Sequence, residues 1–222
     1  MTEMVGMKNK DEQLSGMRVN YTKGQLLESE AGMEPFALFH QWMQEAKESE
    51  VKEPNAFTLS TIKDQKPSAR ILLLKGLDDA GFVFFSNYLS HKGEEMAQNP
   101  VAAMTFFWDH MERQVRIEGQ IEKVSEEESI QYFNSRPRGS QIGAWVSNQS
   151  SVIQSREVLE EKNALLEEKF REVNPVPKPP YWGGYRLFPE SIEFWQGRPS
   201  RLHDRLIYTK KENNWIRERL SP

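Results

Sequence analysis

Cysteine is missing from this 222-residue chain, which rules out disulfides, thiolate zinc sites, iron–sulfur clusters and a cysteine nucleophile. Histidine is scarce, and the four present, at 40, 91, 110 and 203, show neither HExxH nor paired-ligand spacing, which argues against zinc. No GxGxxG follows a strand-like run and no GxxxxGKS/T occurs, so a bound phosphate would have to be held by side chains. A GxSxG nucleophile elbow is absent too. No apolar run is long enough to span a bilayer, and MTEMVGMKNKDEQ does not resemble a secretion signal; the expectation is a cytoplasmic protein without a membrane partner. An excess of positive charge is also lacking. With 29 Lys and Arg against 33 Asp and Glu, the net charge of −4 disfavours a nucleic-acid partner, and local basic clusters in such a chain suit a small anionic ligand.

What is there reads as mainly β with added helices, an α+β chain. Residues 1–16 are polar and aperiodic, a flexible tail by composition, ahead of one domain over 17–222. Residues 34–46 place Phe36, Phe39, Trp42, Met43 and Ala46 on one helical face, with Pro35 suited to the first turn. AFTLSTI, ARILLLKG, GFVFFSN, VAAMTFFW and RQVRIEGQIEKV are β-prone runs, mostly joined by short turns, which favours an antiparallel sheet or barrel of six to eight strands. HKGEEMAQ predicts a short helix stopped by Asn99-Pro100, and SEEE at 125–128 opens a capped helix that must end before Pro137. A second short helix over SQIGAWVS and an amphipathic helix over 155–173 follow, the latter with Val158, Leu159, Leu165, Leu166 and Phe170 on its apolar side. GYRLFPESIEFWQ and a hairpin turning at 212–214 close the chain.

Four constellations could carry chemistry, and each has a plain structural alternative. RILLLK carries a cation at each end, Arg70 and Lys75, but reads equally as a core strand with snorkelling ends. SNYLSHKG sets Ser86, His91 and Lys92 where a strand yields to a helix N-terminus, a place that favours anions, or else a helix cap with solvated charges. QYFNSRPRGSQ puts Tyr132 and Arg136 on one helical face with Ser140 just beyond the break, a phosphate clamp or an exposed helix end. WQGRPSRLHDR holds three arginines and His203 beside Trp195. If extended from 201 to 205, it projects Arg201, His203 and Arg205 from one face, toward an anion or as an edge strand that deters pairing.

Taken together, RILLLK, FFSN, HKG, ERQV, YFNSRPRGSQIGAWVSNQSS, WGGYRL, IEFWQG and RLHDR resemble the pyridoxine (pyridoxamine) 5′-phosphate oxidase family over about residues 17–222. The resemblance implies an antiparallel, FMN-binding split β-barrel working as a homodimer with active sites at the subunit interface. The implied reaction oxidises pyridoxine 5′-phosphate or pyridoxamine 5′-phosphate to pyridoxal 5′-phosphate, hydride passing from C4′ to flavin N5 and dioxygen becoming hydrogen peroxide. Carried over by position, FMN would be held by Arg70, Ile71, Leu72, Leu73, Leu74, Lys75, Phe85, Ser86, His91, Lys92, Gln114, Gln149, Ser150, Trp195 and Arg205. Substrate would be held by Arg18, Tyr21, Lys75, Tyr132, Arg136, Ser140, Arg201 and His203, the last two serving as the catalytic pair. His91 stands where many relatives carry arginine, which weakens one phosphate contact. The alternative is a split-barrel protein that binds FMN or pyridoxal phosphate without catalysis, since one fold hosts several functions.

Overall fold

The computed structural model describes residues 14, 16–212 and 214–222; most of the stretch read as a tail, residues 1–13 and 15, lies outside it. Its backbone is organised around one long strand. After α1 (Glu28–Ala31) and α2 (Pro35–Glu48) come β1 (Ala56–Lys63), β2 (Lys66–Leu73), β3 (Gly76–Asp78), β4 (Gly81–Asn87), α3 (His91–Gln98), β5 (Val101–Trp108) and β6 (Arg113–Lys123). Then follow α4 (Glu126–Ser135), α5 (Arg138–Val146), α6 (Glu157–Lys169), β7 (Trp182–Gln196), β8 (Asp204–Lys211) and β9 (Asn214–Arg219). All pairings are antiparallel, in the order β2-β1-β5-β6-β7-β4-β3, with β8 and β9 branching from β7.

The branch is what splits the barrel. One edge of β7 pairs β6 over residues 185–196, while its other edge pairs β4 over residues 182–187 and β8 over 191–196. Pro189, which has no N–H to donate, sits at the changeover, opposite a register shift at Glu118/Gly119. Gly119 is required there, because a Cβ would stand 2.0 Å from the Phe188 carbonyl oxygen.

The core explains the sequence periodicities. α2 buries Leu38, Phe39, Trp42, Met43 and Ala46, and Phe39 meets Phe82 and Phe106 edge-on at 5.0 and 5.2 Å. Ser125 caps α4 by accepting the Glu128 N–H, as the SEEE pattern predicts. A smaller cluster of Ile142, Val146, Phe170 and Val176 ties α5 to α6.

Four expectations need correction. The sheet has nine strands among the described residues rather than six to eight. The run through residues 69–76 is not one strand: β2 begins earlier and ends at Leu73, because the preceding turn shrinks to Asp64 and Gln65, both at positive φ. Of the apolar side expected for α6, Leu159, Leu166 and the C-cap residue Phe170 pack, while Val158 and Leu165 lie about 100° round the helix from Leu159 and Leu166 and face solvent. Residues 201–205 are not extended. Arg201 closes a 3₁₀ turn, Pro199–Arg201, with φ +61°, and β8 starts only at Asp204, so strict alternation of 201, 203 and 205 does not occur.

Candidate active site: two half-clefts

One cleft, of about 480 Å³, opens where the ends of β2 and β4 meet α4 and α5. Its wall is aromatic: Phe85 stacks on Tyr132 at 3.9 Å, and Trp182 lies nearly parallel to both. Lys75, Arg136, Ser140, Ser86 and Gln149 supply polarity. Pro137 ends the helix of Tyr132, leaving Arg136 as an extended C-cap. Its guanidinium stands over the Trp182 ring at 4.6 Å, and its Nη1 is buried with no hydrogen-bond partner. Burial pulls the Arg136 guanidinium below its ordinary pKa and pushes the Tyr132 phenol up. An unpartnered buried guanidinium nitrogen is costly, and an anion in the cleft removes the cost.

Beside this cleft Lys92 is 8% exposed. Its Nζ donates to Gln149 Oε1 at 2.8 Å and Ser90 Oγ at 3.3 Å, and it pairs with no carboxylate among the described residues. Burial foremost, then the Arg70 charge, lowers its pKa. The His91 N–H at the start of α3 donates to Ser150 Oγ at 3.2 Å.

The second cleft, of about 540 Å³, gathers Arg18, Tyr21, Trp195, Arg198, Arg201 and His203. His203 lies 4.6 Å from the Trp195 ring and 5.6 Å from Tyr21. Its Nδ1 accepts the Arg198 N–H at 3.1 Å, so the neutral ring carries its proton on Nε2, aimed away from that bond. Burial, and then the Arg201 charge, hold the imidazole pKa below its ordinary value.

Residues 43–169 match the family model described as pyridoxamine 5′-phosphate oxidase, and residues 182–222 match the pyridoxine 5′-phosphate oxidase C-terminal dimerisation region. The chain belongs to the pyridoxamine 5′-phosphate oxidase family. A pyridoxine/pyridoxamine 5′-phosphate oxidase of Gloeothece citriformis is 56% identical over 214 residues, covering 96% of this chain and 100% of that protein. PhzG from Burkholderia lata, solved with tetrahydrophenazine-1-carboxylic acid, superposes with a TM-score of 0.83 at 29% identity, covering 90% of this chain and 100% of PhzG. An FMN-binding, pyridoxamine 5′-phosphate oxidase-related protein of Nostoc punctiforme shares the fold, with a TM-score of 0.68 at 16% identity over 86% of this chain and 100% of that one.

As in its family, the cofactor of this oxidase is FMN. The donor set fits such a ligand, since Lys92, a buried ammonium without a carboxylate partner among the described residues, calls for an anionic group. The dimerisation region supports a homodimer. Among the described residues no helix is long and apolar enough to cross a membrane.

Of the residues the family resemblance singles out, Ile71, Leu72, Leu73, Lys75, Phe85, Ser86, Tyr132, Arg136, Ser140 and Gln149 line the first cleft. Arg18, Tyr21, Trp195, Arg201 and His203 line the second. The rest line neither. Arg70 donates to Glu95 at 2.9 Å and to Ser68 and Thr61. Leu74 belongs to the core, and Gln114 faces Trp195 across the β6–β7 ladder. Arg205 makes a two-pronged pair with the buried Glu193, at 2.8 and 3.1 Å. His91 and Ser150 border a neighbouring hollow with Gln149.

Sequence reasoning missed Trp182 as part of the wall and Gly143, Ala144 and Ser147 as lining. The latter were legible: with Ser140 they recur at helical spacing as a stripe of small residues on α5. Arg198, to which the sequence assigns no role, lies in the second cleft.

Proposed function

We propose that this protein oxidises pyridoxine 5′-phosphate or pyridoxamine 5′-phosphate to pyridoxal 5′-phosphate. The amine substrate takes up water and releases ammonia, and dioxygen becomes hydrogen peroxide. The observation that carries the reading is the orphaned Arg136 Nη1 in a cleft shared with Lys75, Tyr132 and Ser140, a side-chain cradle suited to a phosphate. When bound, FMN would supply the redox chemistry, a hydride acceptor for C4′ whose electrons go on to dioxygen. FMN would be held by residues 70–75, Phe85, Ser86, His91, Lys92, Gln114, Gln149, Ser150, Trp195 and Arg205.

The chain's own groups bind and orient. Arg136, Lys75, Ser140 and Tyr132 grip the substrate phosphate. Arg201 and His203 cover its pyridine ring, His203 presenting Nε2–H as a donor, while Arg18 and Tyr21 close from the N-terminal side. The two half-clefts of one chain would be completed by those of a second copy in the homodimer. PhzG was solved with a carboxylate ligand, and the cationic cradle here also accepts a carboxylate; the 56% identity to a phosphate-substrate oxidase favours the phosphate.

Anaerobic mixing with pyridoxine 5′-phosphate tests the reading: the flavin absorbance should bleach, recover on admitting oxygen, and yield peroxide and pyridoxal 5′-phosphate. An FMN-loaded dimer that does not bleach overturns it and leaves the non-catalytic binder.

A pH dependence follows from His203. Because its folded pKa is depressed, the neutral ring contributes stability above the ordinary histidine pKa, and this is lost as pH falls through the folded value. Protonation places a hydrogen on Nδ1, opposite the Arg198 N–H. The ratio kcat/KM should therefore fall on the acid side of the ordinary histidine range. A pH–rate profile of His203→Asn checks this, and the same acid limb in that variant would assign it to another group.

A further inference from the structure

Residues 21–26 form a strap that runs on from the second cleft, where Tyr21 is a lining residue, and its attachment is mainly polar. Thr22, Lys23 and Gln25 are exposed, and Leu26 alone of the six is fully buried. The attachment comes from residues that the oxidase reading does not use. Glu112 is 5% exposed, at φ +55° after a 3₁₀ turn, and its carboxylate pairs with no cation among the described residues. Both hydrogen bonds it accepts come from the strap: the Thr22 N–H at 2.8 Å and the Lys23 N–H at 2.9 Å, each to Oε2. The Arg198 guanidinium donates to the Gly24 carbonyl at 3.0 Å, and Asp204 Oδ2 accepts the Leu26 N–H at 3.1 Å.

The same segment carries Tyr21, whose ring lies 5.7 Å from Trp195 and 5.6 Å from His203. Tyr21 sits against Gly197, where an added Cβ would come within 2.7 Å of Tyr21 Cγ, so the ring is admitted only by the missing side chain. Gly197 in turn donates its N–H to the Glu112 carbonyl at 2.7 Å. The carboxylate that grips the strap and the backbone that makes room for Tyr21 thus belong to one rigid corner.

We propose that Glu112 and Arg198 are positioning residues that latch residues 21–26 beside the cleft, setting Tyr21 against His203 and Trp195. Neither acts on the reacting atoms; both act through Tyr21. A charge-assisted bond is worth roughly twice a neutral one, and Glu112 makes two of them to the strap against one from Arg198, so the latch rests chiefly on Glu112. The inference rests on the oxidase reading for its kinetic readout, and it carries an independent readout in the exposure of the strap.

The test uses the FMN-loaded protein and three variants, Glu112→Ala, Glu112→Gln and Arg198→Ala. The last keeps the backbone N–H on His203 and removes only the guanidinium. Trypsin cleavage at Lys23–Gly24, followed by mass spectrometry, should be about tenfold faster in Glu112→Ala. The KM for pyridoxine 5′-phosphate should rise about tenfold while kcat stays within about threefold. Glu112→Gln, which keeps an acceptor oxygen, should fall between, and Arg198→Ala should show the same signs more weakly. Unchanged cleavage in both alanine variants overturns the latch, as does faster cleavage with an unchanged KM. Should Glu112→Ala lose FMN and unfold, Arg198→Ala decides alone. If the parent protein does not turn over this substrate, the oxidase reading has failed and the cleavage rates still decide the latch.

Discussion

Replacing Arg201 by alanine should lower kcat/KM for pyridoxine 5′-phosphate by about two to three orders of magnitude, with little change in FMN content or melting temperature. Arg201 is exposed, and its side chain makes no hydrogen bond or ion pair among the described residues. Its backbone sits at φ +61° directly after Ser200 at +56°, a pair of left-handed residues without glycine. Such a conformation costs on the order of 1–3 kcal/mol per residue and persists where the surroundings impose it. Alanine suffers the same backbone cost, so the substitution isolates the side chain. Stopped-flow bleaching of the flavin, alongside thermal unfolding of the same preparations, separates the outcomes. Lost folding or lost FMN would move Arg201 into the framework, and unchanged bleaching would remove it from the reaction.

Arg136→Met should raise the KM for pyridoxine 5′-phosphate about 10- to 100-fold, the loss expected for a charge-assisted bond to a phosphate. Methionine keeps apolar bulk against Trp182 and Phe133 while discarding the charge. The stability effect has the opposite sign. Without a ligand the buried Nη1 is unsatisfied, so in phosphate-free buffer the variant should melt at or above the parent temperature. Non-phosphorylated pyridoxine supplies the control. Discrimination between the phosphorylated and plain substrates should collapse in Arg136→Met, and intact discrimination would show that the phosphate is held elsewhere.

Much of this protein was legible along the chain because its signals are local. The buried face of α2, the Ser125 cap, the Pro137 break and the strand-like runs each depend on residues a few positions apart. The tyrosine, arginine and serine of the first cleft are also close in sequence, but the shared helical face expected of Tyr132 and Arg136 is not formed: Pro137 leaves Arg136 as the extended C-cap of α4, and Ser140 lies on α5. The long YFNSRPRGSQIGAWVSNQSS motif that marks the family is likewise local.

Other features were decided only by tertiary structure, because they depend on partners distant in sequence. Arg70 and Arg205 look like free cations in the sequence, yet Glu95 on α3 and Glu193 on the neighbouring strand β7, 25 and 12 positions away, pair with them. Glu112 acquires its partners only when the N-terminal strap lays two amides on its carboxylate from about 90 residues upstream. In WQGRPSRLHDR the residue types state that cations, an imidazole and an indole belong together. Their directions are set by the turn at 199–201, whose positive φ angles no propensity announces in serine and arginine. Composition and local spacing thus determined which chemical groups this protein has and which helices and strands carry them. How each of those groups is held toward a ligand was settled by long-range pairing, since a cation already met by a carboxylate, as Arg70 and Arg205 are, has fewer donors left to offer than Lys92 or Arg136.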